Sequence, residues 1–281
     1  MDVGIGLPNS VRGVERAGIV DWAQRAEAAG FSSLGTIDRL AYPSYEPLTA
    51  LAAAAAVTER IGLVTDILIA PLRTNTALLA KQAASIDHLS GGRLTLGVAV
   101  GGREDDFDIG GTDFGGRGRA FDAQLETLSD LWRENAVAPG VAGRERPGVL
   151  IGGSNPRTFA RAAAHGDGWT MGGGAPDQLA QGAAATREAF AAAGRTDAPR
   201  IMALCYFALG PGGADAARAS LGDYYAWLGP IADQIVASAV TDADTARGYR
   251  DGFAAAGCDE LLFFPASADP AQVELLAEAL A

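Results

Sequence analysis

The sequence predicts a (β/α)₈ barrel, and three observations support this fold. Short apolar runs alternate with amphipathic helical stretches along the whole 281-residue chain, which is typical of a parallel sheet covered by helices. Eight such runs are present, the number of strands in a barrel of about 250 residues. The first run ends at Pro8-Asn9-Ser10 and lacks the glycine fingerprint of the alternative, a doubly wound sheet. No shift in composition divides the chain, so residues 1–281 are predicted to form one domain.

In the first half of the chain, glycine and proline separate the elements. The first helix carries Ile19, Trp22 and Ala26 at three- and four-residue spacing and stops at Gly30, as an amphipathic helix does. The third strand is a long apolar run that contains Asp66. The predicted strands are residues 3–7, 33–37, 61–69 and 93–100, and the predicted helices are residues 14–29, 47–60, 76–89 and 120–133.

The second half repeats the alternation. A glycine- and aspartate-rich stretch, residues 101–116, precedes the fourth of these helices and is predicted to be a loop: either a mobile lid over the barrel mouth or a solvated surface loop. The predicted strands are residues 149–151, 168–171, 201–209 and 260–264, and the predicted helices are residues 156–164, 176–193, about 215–228, 242–256 and 270–280.

Composition excludes several classes of partner. The formal net charge is −12 and the isoelectric point is near 4.6, which argues against nucleic acids and anionic membranes. The longest apolar block, residues 51–57, is far shorter than the roughly 20 residues of a membrane-spanning helix. The N-terminus shows no targeting pattern. The chain is therefore expected to be soluble and cytoplasmic.

The usual catalytic and metal-binding patterns are absent from the sequence. Cys205 and Cys258 lie far apart and are interpreted as buried thiols, and His88 and His165 are the only histidines. No metal site is therefore predicted. There is no nucleophile elbow and no P-loop pattern, and no catalytic residue is assigned. This scarcity of acid–base side chains favours an enzyme whose cofactor carries the reaction.

Active sites of such barrels lie at the carboxyl ends of the strands. The fifth strand ends in Gly152-Gly153, followed by Ser154 and a helix start with Arg157 in its first turn. Glycines let a ligand approach the backbone, and a helix N-terminus favours a phosphate; an ordinary capped helix is the alternative. The other candidates at strand ends are Asn9, Ser10, Asp38, Arg39, Asp66, residues 101–103, residues 171–174 (with Gly172 and Gly173) and Tyr206.

Residues 78–98 resemble a segment shared by the luciferase-like flavin-dependent monooxygenases. This segment includes Ser90-Gly91-Gly92-Arg93. Further matches follow in the order found in that family and cover roughly residues 3–170. They are residues 26–31, residues 117–122 with Trp132, residues 152–154 and residues 166–169.

The resemblance implies a (β/α)₈ barrel that binds FMN or the deazaflavin coenzyme F420. It implies that the cofactor phosphate binds at Gly152, Gly153 and Ser154, helped by Arg157 and by Arg117 or Arg119. It also implies a non-proline cis peptide in the third strand, at Thr65–Asp66 or Asp66–Ile67. The residues expected to contact the cofactor are Asp66, Ile67, Val100, Gly152, Gly153, Ser154, Arg157, Gly172 and Gly173.

Two positions depart from the family. Arg39 stands where members often carry a histidine, and Val100-Gly101 stands where luciferases have an arginine. These departures argue against light emission and against the deazaflavin-dependent sugar-phosphate dehydrogenases. Substrate contacts are expected from Asp38, Arg39, Tyr42 and Tyr206, although the tyrosines, with Tyr45, are equally compatible with core positions.

The leading hypothesis is an oxidoreductase or monooxygenase that uses reduced FMN on a small organic substrate. The acidic charge favours FMN over the deazaflavin, whose tail is itself acidic. The alternatives are an F420-dependent hydride-transfer enzyme and a non-catalytic flavin-binding barrel. A separate flavin reductase and a homodimer are the expected partners; Tyr224, Tyr225, Trp227 and Leu228 would either form an interface or cover the barrel.

Overall fold

Eight parallel strands close into a barrel in the order of the chain, which confirms the predicted fold. The computed structural model describes residues 1–15, 17–137 and 146–281. Each strand pairs with the next, and β8 pairs with β1. The strands are β1 (Asp2–Gly6), β2 (Ser33–Thr36), β3 (Gly62–Ile69), β4 (Leu94–Ala99), β5 (Gly148–Gly152), β6 (Gly168–Met171), β7 (Arg200–Phe207) and β8 (Glu260–Pro265).

Helices connect the strands on the outside of the barrel. They are α1 (Gly18–Ala28), α2 (Pro47–Ala55), α3 (Thr76–Leu89), α4 (Glu104–Gly110), α5 (Arg117–Arg133), α6 (Pro156–His165), α7 (Pro176–Ala192), α8 (Gly213–Tyr224), α9 (Pro230–Ala237), α10 (Ala243–Ala255) and α11 (Gln272–Leu280). Short 3₁₀ turns occur at Pro8–Ser10, Ala70–Leu72 and Ala226–Leu228. Among the helices of the described residues, none has both the length and the apolarity needed to span a bilayer.

The hydrophobic core has two main parts. The larger part fills the space between the strands and the helices, where Trp22 and Leu51 are fully buried. The smaller part fills the inside of the barrel and includes Val64, Met202 and Phe264. Because side chains on a strand alternate between its two faces, β3, β5, β7 and β8 contribute to both parts. A small third cluster includes Ala208 and Leu221.

A polar cluster lies at the amino-terminal end of the barrel. The buried carboxylate of Glu260 accepts hydrogen bonds from the hydroxyls of Ser32 and Ser33, at 2.5 and 2.6 Å, and pairs with Arg200. These contacts tie β2, β7 and β8 together at that end. The cavity described below lies at the opposite, carboxyl end.

Helix α2 is shorter than the predicted helix 47–60 and ends at Ala55. The cause is a contact with α1: the Glu27 carboxylate accepts the backbone amides of Glu59, Arg60 and Ile61 at 2.9, 2.6 and 2.9 Å. These hydrogen bonds hold the chain in a turn that leads into β3. Sequence periodicity carries no signal for such a distant carboxylate.

The prediction that residues 101–116 form a loop is wrong in part, because they contain α4. Glu104, Asp105 and Asp106 occupy its first turn, where negative charge interacts favourably with the helix dipole. Gly111 ends the helix with φ of 61°. The glycine and aspartate content that suggested a loop therefore belongs to the two ends of a short helix.

The region after β7 also differs from the prediction. The predicted helix 215–228 is α8 followed by a 3₁₀ turn, and α9 was not predicted. Gly229, with φ of 56°, and Pro230 at the first position of α9 separate the elements. Helix α1 begins at Gly18 rather than at 14; position 16, inside the predicted helix, lies outside the described residues.

Candidate active site at the carboxyl ends of the strands

An apolar platform, defined here as the Ile67 side chain lying over Gly152, is found at the mouth of the barrel. The pairing of β3 with β4 shifts register between Thr65 and Leu68, and the peptide bond between Asp66 and Ile67 is cis, one of the two positions expected. The Ile67 side chain extends over β5: a Cβ on Gly152 would lie 2.1 Å from Ile67 Cδ1. The missing side chain at Gly152 therefore makes the space that Ile67 occupies.

The platform forms one wall of a cavity of about 210 Å³. Most of its wall is apolar or aromatic. The lining residues are Ile37, Asp38, Arg39, Asp66, Ile67, Ile69, Ala99, Gly101, Gly102, Arg103, Asp106, Gly152, Gly153, Thr170, Gly172, Leu204, Tyr206, Tyr224, Tyr225 and Trp227. This composition, with a few polar groups among apolar ones, is typical of a site for an organic ligand.

Asp66 is the polar group of the cavity that lies on β3. It is 2% exposed. Its Oδ1 accepts a hydrogen bond from the Thr170 hydroxyl at 2.9 Å, and its Oδ2 has no hydrogen-bond partner. The pKa of Asp66 is raised to about 7: burial is the main cause, the Thr170 hydrogen bond opposes it, and the Glu260 carboxylate adds a smaller upward contribution. Asp66 therefore changes protonation state near neutral pH.

A buried ion pair fixes the carboxyl end of β2 to α4. Arg39 Nε donates to Asp106 Oδ2 at 2.7 Å. The other oxygen of Asp106 accepts the amides of Leu40 and Ala41, at 2.9 and 2.6 Å. Arg39 Nη2 lies 3.3 Å from Asp105, whereas Arg39 Nη1 is buried without a partner. Arg39 therefore keeps one donor unused in the cavity wall.

Asp38 lines the cavity, and both of its oxygens have partners. They accept bonds from the Arg73 guanidinium, and one also accepts the amide of Ile69 at 2.8 Å. Asp38 therefore joins the end of β2 to the segment after β3. Its contribution to the cavity is to position these segments.

A roof, defined here as residues 223–228, covers the cavity. Tyr224, Tyr225 and Trp227 line the cavity from the roof. Arg103 donates to the carbonyl of Tyr224 at 3.1 Å and lies 4.9 Å from the centroid of the Trp227 ring. The hydroxyls of Tyr206 and Tyr225 are 2.6 Å apart. Of the two roles considered for these aromatic residues, the structure shows that they cover the barrel.

The outer edge of the roof is held by exposed polar contacts. Asp223 accepts hydrogen bonds from Arg12 Nε and from the Tyr42 hydroxyl, both at 2.6 Å. The Tyr42 ring also packs edge-on against Tyr224, with 5.0 Å between centroids. Tyr42 therefore supports the roof and is absent from the cavity wall.

The glycine loops after β5 and β6 border both the cavity and a neighbouring groove. Gly152, Gly153 and Gly172 line the cavity. Ser154 and Gly173, the next residues along each loop, line a groove of about 470 Å³ beside α6 and α7. The cavity and the groove thus meet along these two loops.

The N-terminus of α6 has fewer available amides than the sequence suggests. The Asn155 side chain accepts the Thr158 amide at 3.2 Å, and Pro156 has no N–H group. Arg157 lies exposed in the first turn. The free amides near this end therefore belong to the glycine loop and to Arg157.

A sequence model of the luciferase-like monooxygenases matches residues 1–257. This chain belongs to the luciferase-like monooxygenase family. An uncharacterized protein of Mycobacterium tuberculosis is 32% identical over 193 residues, which is 56% of this chain and 66% of that protein. An F420-dependent glucose-6-phosphate dehydrogenase of Kribbella flavida is 26% identical over 147 residues, 49% of this chain and 44% of that protein. The chain thus spans less than two thirds of the length of these relatives.

Solved structures share the luciferase-like fold over the whole chain. A monooxygenase from Streptomyces bottropensis has a TM-score of 0.79 at 24% identity and covers 100% of this chain and 98% of its own. An F420-dependent secondary alcohol dehydrogenase, solved with an F420–acetone adduct, has a TM-score of 0.83 at 18% identity and covers 100% and 99%. At these identities the likeness establishes the fold.

Several predicted site residues lie outside the cavity of this luciferase-like barrel. Val100 packs against the outer core, whereas its neighbours Ala99 and Gly101 line the cavity. Arg117 donates to the Gly101 carbonyl at 3.1 Å and stacks on Phe114. Arg119 lines a separate pocket. The structure therefore places neither arginine beside Ser154.

Other lining residues were missed or not assigned to the site. Thr170 and Leu204 face inward from β6 and β7, and the alternation of strand side chains was the available signal. Arg103 stood among the strand-end candidates without an assigned role. Trp227 was expected only to form an interface or to cover the barrel, because its place in the cavity wall depends on the chain returning across the barrel mouth.

Proposed function

We propose that this chain is an FMN-dependent oxidoreductase acting on a small, uncharged organic substrate. The observation that carries this proposal is the apolar platform formed by Ile67, which faces the aromatic roof across the cavity. A flat apolar surface opposite aromatic rings suits a planar ring system. The adjoining groove at Ser154 and Gly173 has room for the phosphate-bearing chain of such a cofactor.

The residues present fit such a cofactor. Arg39 Nη1 is buried without a partner, and a ring carbonyl offers it a hydrogen bond. Because Gly152 and Gly153 have no side chains, a ligand can approach their backbone closely beside the platform. In this proposal Ile67 and Ala99 support the ring, and Ser154, Gly173 and Arg157 lie toward the phosphate.

The protein would supply orientation and a dry environment. Reduced FMN, when bound, supplies two electrons as a hydride equivalent. The tyrosines of the roof, with Trp227, exclude water from the cavity. Burial raises the pKa of both Tyr206 and Tyr225, so these phenols stay neutral. Asp38 and Arg39, locked in ion pairs, hold the loops of the cavity at fixed positions.

Charge balance favours an uncharged substrate. The charged groups at the cavity pair off: Arg73 with Asp38, Arg39 with Asp106, and Arg103 with Asp105. Among the acidic and basic lining residues, Asp66 alone lacks an ion-pair partner, and it is neutral below a pH of about 7, so the paired groups leave no net charge there to attract an ionic substrate. Of the residues assigned to substrate, Asp38, Arg39 and Tyr206 line the cavity, whereas Tyr42 would act through the roof.

A second candidate uses the deazaflavin F420 with the same platform. The relative from Kribbella flavida, named an F420-dependent glucose-6-phosphate dehydrogenase, favours this candidate. The net charge of −12 favours FMN, because the deazaflavin tail is acidic. We further propose a separate flavin reductase as the source of reduced FMN, a homodimer, and a cytoplasmic location.

Parallel fluorescence titrations with FMN and with F420, each in both redox states, test the proposal. Tighter binding of reduced FMN, followed by substrate-dependent oxidation of that FMN, is the expected result. Preference for F420 would support the second candidate. A tight flavin complex that reduces or oxygenates no substrate would indicate a binding protein. Absence of binding by either cofactor at millimolar concentration would refute both candidates.

A further inference from the structure

The cavity wall contains few groups able to exchange a proton. Its described lining includes no histidine. Both arginines remain protonated at any ordinary pH, and Asp38 and Asp106 are held in ion pairs. The hydroxyls of Tyr206 and Tyr225 bond to each other, and burial raises the pKa of Tyr206, Tyr224 and Tyr225, which makes them much weaker acids than a carboxyl. Among the lining residues, Asp66 is therefore the group best able to exchange a proton, and its Oδ2 has no hydrogen-bond partner.

We infer that Asp66 is the proton donor for the substrate in this cavity. The inference rests on the proposed function, because it concerns reduction of a substrate bound over the platform. Three features of the geometry support it. Asp66 lines the cavity, one of its oxygens accepts the Thr170 hydroxyl, and the other oxygen is buried without a hydrogen-bond partner.

The surroundings of Asp66 keep a proton on it. Burial is the main cause, because it disfavours the charged form; Thr170 on β6 donates a hydrogen bond that favours the charged form, and Glu260 on β8 adds a smaller repulsion. Tyr206 on β7 faces the same space. The remaining charged groups at the cavity are Asp38 and Arg39 on the β2 side and Arg103, Asp105 and Asp106 on the α4 side, which pair with one another or with Arg73.

The chemical step balances with a reduced flavin as the hydride source. In the reduction of a polarised double bond, one carbon receives the hydride and the electron pair of the broken π bond moves to the partner atom. The proton on Asp66 Oδ2 moves to that atom, and Asp66 becomes a carboxylate. The substrate gains two electrons and two hydrogens in total, and solvent returns a proton to Asp66 before the next cycle.

Infrared spectroscopy of the apo-protein tests the proton on Asp66 without any cofactor. The wild-type protein should show a protonated carboxyl C=O band above 1,700 cm⁻¹, in the region typical of carboxylic acids, that disappears as the pH rises through about 7. Asp66→Asn should lack this band. Thr170→Val should show the band, and the band should disappear at a higher pH than in the wild type, because the hydrogen bond that favours the carboxylate is gone.

Anaerobic single-turnover kinetics test the donor role. Each variant, loaded with FMN and reduced by dithionite, is mixed with 2-cyclohexenone, a small uncharged enone whose reduction needs one hydride and one proton. The wild-type rate should fall about tenfold or more between pH 6 and pH 8.5, as ionisation of the donor requires. Asp66→Asn should be about 100-fold slower at pH 6 and independent of pH. Thr170→Val should keep the pH dependence with its midpoint displaced upward.

The two experiments separate the failure of the inference from the failure of the proposed function. A wild-type protein without a titrating carboxyl band, or one whose band persists in Asp66→Asn, overturns the inference even if the enone is reduced. Enone reduction with the same pH profile in the wild type and in Asp66→Asn also overturns it. A titrating band in a protein that binds no FMN refutes the proposed function, and with it the donor role.

Discussion

Replacing Asp66 by Asn should change how stability depends on pH. In the folded protein the pKa of Asp66 is about 7, against an ordinary value of 3.8. Between these two values the unfolded chain has released the proton that the folded protein retains, so the free energy of unfolding falls as pH rises. The loss is complete once the pH exceeds the folded pKa. Asn remains neutral and removes this dependence.

The magnitude follows from the pKa difference. Each unit of pH between the two pKa values costs the wild-type protein about 1.4 kcal/mol, so the interval from pH 5 to pH 7 amounts to about 3 kcal/mol. Above pH 7 the difference between the two proteins should level off. For a chain of this size, a change of 3 kcal/mol corresponds to about 5 °C in Tm.

Urea denaturation of the two proteins at pH 5.0, 6.0, 7.0, 8.0 and 8.5 measures this effect. We expect the free energy of unfolding of the wild type, relative to Asp66→Asn, to fall by about 3 kcal/mol over this range. The comparison between the proteins cancels the contributions of other titrating groups. Parallel curves for the two proteins would show that Asp66 is ionised in the folded protein at pH 5, and would refute this reasoning about burial.

Two further predictions concern the platform and the buried ion pair. Gly152→Ala should destabilise the protein by about 1–3 kcal/mol and weaken FMN binding, because its Cβ would collide with Ile67; Gly248→Ala on α10, whose Cβ meets nothing within 4 Å and which lies outside the cavity wall, is the matched control. Equal thermal stability and equal FMN affinity of the two variants would contradict the role of the platform. Arg39→Met should lower the free energy of unfolding by about 3–5 kcal/mol, because it leaves Asp106 buried without its cation; a urea midpoint unchanged from the wild type would contradict this.

Local pattern and resemblance predicted much of the site. Alternating apolar runs predicted the eight strands, since each strand carries its own burial pattern. The resemblance placed a cis peptide at Thr65–Asp66 or Asp66–Ile67, and the second of these is cis. It assigned Gly152 to a phosphate, whereas in the structure Gly152 makes room for Ile67. That contact depends on the β3 bulge bringing a side chain across to β5, and the sequence around Gly152 contains no trace of it.

The features that the sequence did not predict depend on contacts between distant parts of the chain. Helix α4 was mistaken for a loop because its glycines and acidic residues are the same types that loops use. The roof residue Trp227 reaches Arg103 across 124 positions of sequence. The protonation of Asp66 depends on burial and on charges on other strands, so the same residue in an exposed strand would be an ordinary carboxylate.

The roof and the platform come from different parts of the chain, and this separation bears on how the protein can evolve. The platform and Asp66 are built into strands β3 to β5, where a substitution disturbs the packing of the barrel. The roof is a short segment after α8, held in part by exposed contacts such as that between Arg12 and Asp223. Mutations at exposed roof residues such as Trp227, unlike those at the buried Tyr224, can therefore reshape the space above the platform at little cost to stability. Relatives that keep the platform and Asp66 can in this way come to accept different substrates by changing exposed residues of the roof.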